Sequence, residues 1–103
     1  MAETNATRTV IVTNGEGLHA RAATLVAELV RRYDSEVKLA KDGERVDGTD
    51  VLQILSLGAA QGEQLSLEAI GQDAEEVLDA LVELFAGNFV EDDEKTEKTE
   101  SQQ

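Results

Sequence analysis

The sequence predicts an α+β domain, an open-faced two-layer sandwich in the order βαββαβα, with a four-stranded antiparallel sheet and three helices on one face. Two observations support this fold class. Four short segments are β-branched or alternate between apolar and polar residues, whereas longer segments carry apolar residues at every third or fourth position. The chain has 103 residues and 41% hydrophobic content, which is enough to build one small core.

The first strand and the first helix flank a glycine-containing loop. Residues 9–13 form a β-branched run closed by Asn14 and Gly15, which predicts a strand followed by a loop. After His19, helical spacing of the apolar residues predicts a helix of about three turns. The apolar positions of this helix are Ala22, Ala23, Leu25, Val26, Leu29, Val30 and Tyr33.

A hairpin and a short helix come next. Residues 36–39 alternate between polar and apolar, and Asp42 and Gly43 separate them from residues 45–47. An Asp-Gly pair between two such runs indicates a two-residue turn, so two antiparallel strands are predicted. Residues 51–57 form a compact apolar stretch bounded by glycine, which favours a short helix over a strand.

A fourth strand and a second amphipathic helix complete the pattern. Residues 64–69 alternate as a half-buried strand does. Asp73 precedes Glu76 by three residues, which is the spacing of a capping pair, and Gly87 can end the helix that they begin. We therefore expect the last helix to be capped at its first turn by its own sequence.

The domain organisation follows from composition. Residues 7–90 are expected to form the domain and residues 1–6 a flexible N-terminus. Residues 91–103 are acidic and contain no apolar residue to bury, so we expect a disordered tail. The N-terminus lacks the basic region and the apolar core of a secretory signal, which predicts a cytoplasmic protein.

Composition excludes several classes of function. The chain has no cysteine and one histidine, so thiolate chemistry and histidine-rich metal sites are excluded, and we expect neither a metal nor a cofactor. A net charge of −13 would repel nucleic acid and anionic lipid, which we do not expect as partners. The acidity is interpreted as adaptation to a high-salt cytoplasm, as in halophilic organisms, and the alternative is an ordinary acidic surface.

The candidate chemistry centres on His19, which the pattern places at the beginning of the first helix. Free N–H groups and the helix dipole attract an anion at such a position. A neutral imidazole is also a nucleophile that can receive a phosphoryl group. His19 and Arg21 are therefore the catalytic candidates, with the amides of Ala20 and Arg21 and the Arg21 guanidinium as phosphate-binding groups. The alternative is a non-catalytic α+β interaction domain whose histidine is incidental.

Three segments resemble one known family. Residues 17–23, Gly-Leu-His-Ala-Arg-Ala-Ala, are similar to the active-site segment of HPr, the histidine phosphocarrier of the phosphoenolpyruvate-dependent sugar phosphotransferase system. Residues 46–62 resemble the second signature of that family, and residues 73–81 resemble its last helix. The resemblance implies the HPr fold and a covalent phosphohistidine relay protein rather than a stand-alone catalyst.

The resemblance also implies roles for residues and partners. His19 would be phosphorylated on Nδ1 by enzyme I and would pass the group to a IIA domain of a sugar permease or a related acceptor, with Arg21 neutralising the phosphate. No bound cofactor is needed, and a monomer is expected. The implied partner-binding residues are Ala20, Thr24, Leu52, Gln53 and Leu55, although core packing is the alternative for the two leucines.

Two positions depart from the family pattern. Ala22 stands where the family usually has proline, which presets the backbone and has no N–H. Asp50 stands where many Gram-positive relatives carry a regulatory serine, so serine-linked regulation is not expected, and we interpret Asp50 as a helix cap. A further alternative is an accessory or regulatory paralogue that serves a nitrogen-type or dihydroxyacetone kinase relay.

Overall fold

The computed structural model describes residues 4–87 and Phe89. Within these residues the chain forms seven elements in the predicted order βαββαβα. They are β1 (Thr4–Ile11), α1 (Ala20–Val30), β2 (Glu36–Lys41), β3 (Glu44–Asp47), α2 (Val51–Ser56), β4 (Gln64–Gly71) and α3 (Ala74–Ala86). The predicted α+β fold class is therefore confirmed.

The four strands form one antiparallel sheet with the spatial order β1-β4-β2-β3. Alternate residues of each strand face a single core, because successive side chains of a strand point to opposite faces. The buried hydrophobic residues of the strands are Ala6, Val10, Val37, Leu39, Val46, Leu65, Leu67 and Ala69. Helix α3 packs on β1 and β4, and α1 packs against α2 and α3, so the helices cover the apolar face.

The hairpin between β2 and β3 has the geometry that its sequence predicts. Asp42 has a φ of 52° and Gly43 a φ of 85°. Positive φ at both central residues is what a type I′ turn requires, and this turn matches the right-handed twist of the paired strands. The turn fixes the β2–β3 register, in which Lys41 pairs with Glu44.

The first strand begins earlier than the sequence pattern indicates. Thr4, Asn5 and Ala6 pair with β4, which corrects the expectation that residues 1–6 are flexible for these three positions. The apolar signal is weak there because the inward positions include the small Ala6 and the half-buried Arg8. At the other end the strand stops at Ile11, two residues before the expected Thr13.

The beginning of α3 differs from the expected capping pair. Asp73 is the N-cap residue, but its side chain makes no capping hydrogen bond. Its carboxylate instead accepts hydrogen bonds from the main-chain N–H groups of Asp34 and Ser35 and from the Ser35 hydroxyl. The hydroxyl of Ser35 is the main reason why the pKa of Asp73 is lowered from its ordinary value. Asp73 thus links the α1–β2 loop to the N-terminus of α3 by hydrogen bonds.

Among the described residues, no helix has the length and apolar character needed to span a membrane. The expected acidic tail at residues 91–103 lies outside the described residues.

Candidate functional site

The loop between β1 and α1 packs against the core just before His19. Leu18 is buried, and its main-chain N–H donates to the carbonyl of Ala59 at 2.9 Å. Ala59 lies in the segment between α2 and β4, where the Ala60 N–H donates to the Glu63 carboxylate and lowers its pKa. The position of His19 is therefore set by two separate loops held together by main-chain hydrogen bonds.

Gly17 is the residue that allows these two loops to approach each other. Its φ is 70°, and a Cβ built on it would lie 2.7 Å from the carbonyl oxygen of Ala59. Both the left-handed conformation and the close approach exclude a side chain. The carbonyl of Gly17 also accepts a hydrogen bond of 2.8 Å from the Asn14 side-chain amide, which closes the turn. The sequence indicates a turn here, but it does not identify Ala59 as the facing group.

His19 is the N-cap residue of α1, as the sequence predicts. Its backbone is extended, with φ −84° and ψ −176°, and its Nδ1 accepts a hydrogen bond from the main-chain N–H of Ala22 at 3.3 Å. The side chain is 30% exposed, so the ring is open to solvent on one side. An imidazole in the N-cap position brings its Nδ1 atom to the amide groups of the first helical turn.

The other ring nitrogen has a carboxylate neighbour. Nε2 of His19 lies 3.3 Å from Oε1 of Glu16, and the Glu16 side chain is 82% exposed. Nothing in the sequence distinguishes Glu16, since a glutamate in a polar loop belongs to no recognisable pattern. Its position relative to the ring depends on the turn made by Asn14 and Gly17.

The first turn of α1 carries no acidic residue. The amides of Ala20 and Arg21 precede the first main-chain hydrogen bond of the helix, in which Ala23 donates to the His19 carbonyl. The side chains of Ala20 and Arg21 are both exposed. By contrast, the first turn of α3 holds Glu75 and Glu76. In this acidic chain, the beginning of α1 therefore has no first-turn carboxylate to oppose the positive end of its helix dipole, which attracts anions.

Helix α2 presents a second exposed surface beside α1. Asp50 caps it, since its carboxylate accepts a hydrogen bond from the Gln53 N–H at 3.1 Å, as the cap interpretation predicts. Leu52 is 77% exposed, whereas Leu55 is half-buried and packs against the core. The sequence pattern does not distinguish the two leucines, but their environments differ. Packing in the core is excluded for Leu52 and remains the alternative for Leu55.

The remaining partner candidates, Thr24 and Gln53, lie on α1 and α2. Thr24 is half-buried, and its hydroxyl donates to the Ala20 carbonyl at 2.9 Å. Gln53 is exposed, and its side-chain oxygen accepts a hydrogen bond from the Asp47 N–H. The N–H and the hydroxyl of Thr49 both donate to Asp47 and lower the pKa of that carboxyl, which organises the chain before α2.

The arrangement suits covalent anion transfer better than metal chemistry. Within residues 4–87 and at Phe89, no three histidine, cysteine or carboxylate side chains are grouped as metal ligands. His19 instead places a partly exposed imidazole ring at a helix N-terminus. A phosphoryl group bound to Nδ1 would lie among the first-turn amides, where its negative charge is stabilised.

Comparison with known proteins gives a consistent result. The family described as "PTS HPr component phosphorylation site" matches residues 6–87. The chain is 41% identical over 86 residues to the phosphocarrier protein NPr of Escherichia coli K12, covering 82% of this chain and 96% of that protein. It is 36% identical over 84 residues to the phosphocarrier protein HPr of Cupriavidus necator, covering 82% of this chain and 94% of the relative. The crystal structure of HPr-C-His from Thermoanaerobacter tengcongensis superposes with a TM-score of 0.80 at 36% identity, covering 84% of this chain and 97% of that one.

Proposed function

Because the chain belongs to the HPr family of phosphocarrier proteins, we propose that it accepts a phosphoryl group on Nδ1 of His19 from enzyme I and passes it to a IIA-type acceptor. The observation that carries this proposal is the N-cap geometry of His19, which holds Nδ1 against the first turn of α1. The ring is exposed enough for a partner's phosphoryl group to reach it.

The transfer is a displacement at phosphorus. The lone pair of Nδ1 leaves the Ala22 N–H and forms the new N–P bond, while the bond between phosphorus and the donor's leaving atom breaks and its electron pair stays with that atom. The Nε2–H proton of His19 stays in place, so the ring of the product carries positive charge. In transfer to the IIA acceptor, a nucleophile of the acceptor attacks the phosphorus and Nδ1 of His19 is the leaving atom. The phosphorylated ring must therefore remain accessible to the acceptor.

Arg21 and the amides at the beginning of α1 stabilise the phosphoryl oxygens. A guanidinium can bind two of these oxygens at once. The N–H groups of Ala20 and Arg21 add the positive end of the helix dipole, with no carboxylate in the first turn to oppose it. The chain thus concentrates its phosphate-binding groups within two residues of the nucleophile.

Exposed residues of α1 and α2 are proposed to dock the protein partners. Leu52 supplies an apolar contact that is 77% exposed, on a helix that packs against α1. Ala20, Thr24, Gln53 and the half-buried Leu55 would surround this contact. A large exposed apolar side chain beside a reactive group is a feature of interaction surfaces.

Two kinds of relay are consistent with the relatives. The NPr similarity favours a nitrogen-type regulatory relay as the second candidate, whereas the HPr similarity favours sugar transport. The accessory dihydroxyacetone kinase relay belongs to the same group of alternatives. All of them use the same His19 chemistry and differ only in the acceptor. Each is proposed to operate in the cytoplasm with a monomeric carrier whose domain begins with β1 at Thr4 and extends to residue 90.

The test is phosphorylation with phosphoenolpyruvate and the cognate enzyme I. We expect an acid-labile gain of about 80 Da, the mass of one phosphoryl group on a histidine nucleophile, and no gain in His19→Ala. A panel of sugar-type, nitrogen-type and dihydroxyacetone kinase acceptors then identifies the relay by the rate of phosphate loss. A wild-type chain that gains no mass would identify the interaction-domain alternative.

The docking surface has a matched test. Leu52→Ser should slow transfer from enzyme I without lowering the free energy of unfolding, because Leu52 is outside the core. Ile70→Ser is the control, since Ile70 is also a large exposed apolar residue, at 45%, but lies on β4. Equal effects of the two substitutions on transfer would contradict docking at α2.

A further inference from the structure

The two nitrogens of the His19 ring face groups of opposite character. Nδ1 faces the main-chain N–H of Ala22 at 3.3 Å, and Nε2 faces the Glu16 carboxylate at 3.3 Å. An amide N–H can only donate, so Nδ1 must present its lone pair to Ala22. The single proton of the neutral ring therefore belongs on Nε2, where a carboxylate can accept it.

The main chain at Glu16 is held by the turn in which it lies. The N–H of Gly17 donates to the Asn14 carbonyl at 3.1 Å, and the Asn14 side-chain amide donates to the Gly17 carbonyl at 2.8 Å. These two bonds close residues 14–17 from both sides. Only Gly17 and Leu18 lie between Glu16 and His19, and the extended N-cap backbone of His19 turns the ring back toward the turn.

We propose that Glu16 is a positioning residue for phosphoryl transfer, which rests on the function proposed above. Its carboxylate holds the proton on Nε2 and so selects the tautomer in which Nδ1 is the nucleophile. A carboxylate beside the protonated nitrogen of a histidine is a common way to fix both the tautomer and the orientation of the ring.

The charge balance of the reaction gives Glu16 a second role. When Nδ1 forms the bond to phosphorus and the bond between phosphorus and the donor's leaving atom breaks, the His19 ring becomes positively charged and keeps its proton on Nε2. The Glu16 carboxylate then lies beside this positive charge. It faces Nε2 and not Nδ1, so it stabilises the ring without occupying the place of the phosphoryl group.

Solvent limits the size of this contribution. The Glu16 side chain is 82% exposed, and an exposed charge pair is weakened by water and salt. We therefore expect Glu16→Ala to change the ratio of the two ring tautomers, and the rate of phosphoryl uptake, by about two- to fivefold, in the range of exposed charge pairs.

The experiment uses the full chain and a low-molecular-weight phosphoryl donor, phosphoramidate, so that docking of a protein plays no part. Glu16→Ala and Glu16→Gln are compared with Glu83→Gln, which removes an exposed acidic charge from α3. Nitrogen-15 NMR of the His19 ring measures the tautomer ratio. Both Glu16 variants should shift it toward Nδ1–H and slow uptake, and Glu83→Gln should match the wild type.

Two results would overturn the proposal. One is a Glu16→Ala protein with the wild-type tautomer ratio and the wild-type uptake rate. The other is a loss of rate with enzyme I but not with phosphoramidate, which would place Glu16 in the contact with the protein donor instead. These results are distinguishable from a failure of the proposed function, in which the wild-type chain would take up no phosphoryl group from enzyme I.

Discussion

The main-chain N–H of Ala22 donates a hydrogen bond to Nδ1 of His19, over 3.3 Å, so the first turn of α1 holds the atom that we propose as the nucleophile. The family usually has proline at this position, and proline has no N–H to donate. This chain therefore fixes the ring by a bond that a proline-containing relative cannot make. The same hydrogen bond caps α1 and orients Nδ1 of His19.

Replacing Ala22 with proline should release the ring. The net contribution of such a hydrogen bond corresponds to about two- to tenfold in an equilibrium, so Ala22→Pro should raise the share of the Nδ1–H tautomer by that factor. Ala22→Gly is the control, because glycine keeps the N–H. Nitrogen-15 NMR of the ring measures both, and identical tautomer ratios in the two variants would show that the Ala22 bond does not orient the ring.

Adding one methyl group at Gly17 should destabilise the fold. A Cβ there would lie 2.7 Å from the Ala59 carbonyl oxygen, and the φ of 70° disfavours any side chain. Gly17→Ala should lower the free energy of unfolding in urea by about 2 to 4 kcal/mol. At Gly15 an added Cβ meets nothing within 4 Å, so Gly15→Ala should change it by less than about 0.5 kcal/mol. A similar, small effect at both glycines would contradict the close approach of the two loops.

Acid should weaken the link between Asp73 and the α1–β2 loop. Folding lowers the pKa of Asp73 from 3.8, chiefly because the Ser35 hydroxyl donates to it. Its stabilising contribution is therefore complete above the unfolded value and is lost as the pH falls through the lower folded value. Urea unfolding from about pH 6 to about pH 2.5 should show a smaller acid loss in Asp73→Asn than in the wild type.

Ser35→Ala provides the control for this acid dependence. It removes the hydroxyl donor but keeps the main-chain donors of Asp34 and Ser35, so it should retain part of the acid loss. An Asp73→Asn protein as acid-sensitive as the wild type would locate the effect in other carboxyls.

Salt should accelerate phosphoryl transfer. The chain carries a net charge of −13, which repels an approaching acidic partner or donor. The Debye length falls from about 10 Å at 0.1 M to about 3 Å at 1 M salt, so the repulsion is screened. The initial rate of transfer from enzyme I should therefore be higher in molar potassium chloride than in dilute buffer. A rate that falls steadily with salt would contradict the interpretation of the acidity as salt adaptation.

The local features of the fold are predictable from the sequence. Helical spacing, strand alternation and the Asp42-Gly43 turn are each properties of a few neighbouring residues, and the structure confirms them. The beginning of β1 was missed because Thr4–Ala6 are held by pairing with β4, a long-range interaction with no local apolar signal. The prediction that the Asp73 side chain caps α3 is wrong for a related reason. Its carboxylate bonds to Ser35, 38 residues earlier, instead of capping its own helix.

The candidate site shows the same division. The N-cap position of His19 follows from local sequence, and the structure agrees. The Ala59 carbonyl that receives the Leu18 N–H and the contact of Glu16 with Nε2 depend on how loops meet in space, which no spacing in the sequence encodes. The different exposures of Leu52 and Leu55 likewise depend on how α2 packs beside α1.

The most direct test of the central claim is to identify the ring nitrogen that carries phosphorus. The full chain, labelled with nitrogen-15 histidine, is phosphorylated by phosphoenolpyruvate and the cognate enzyme I and examined by phosphorus-31 and nitrogen-15 NMR. We expect coupling of phosphorus to Nδ1 of His19 and no bound phosphorus in His19→Ala. Coupling to Nε2, or phosphorus retained by His19→Ala, would contradict the account.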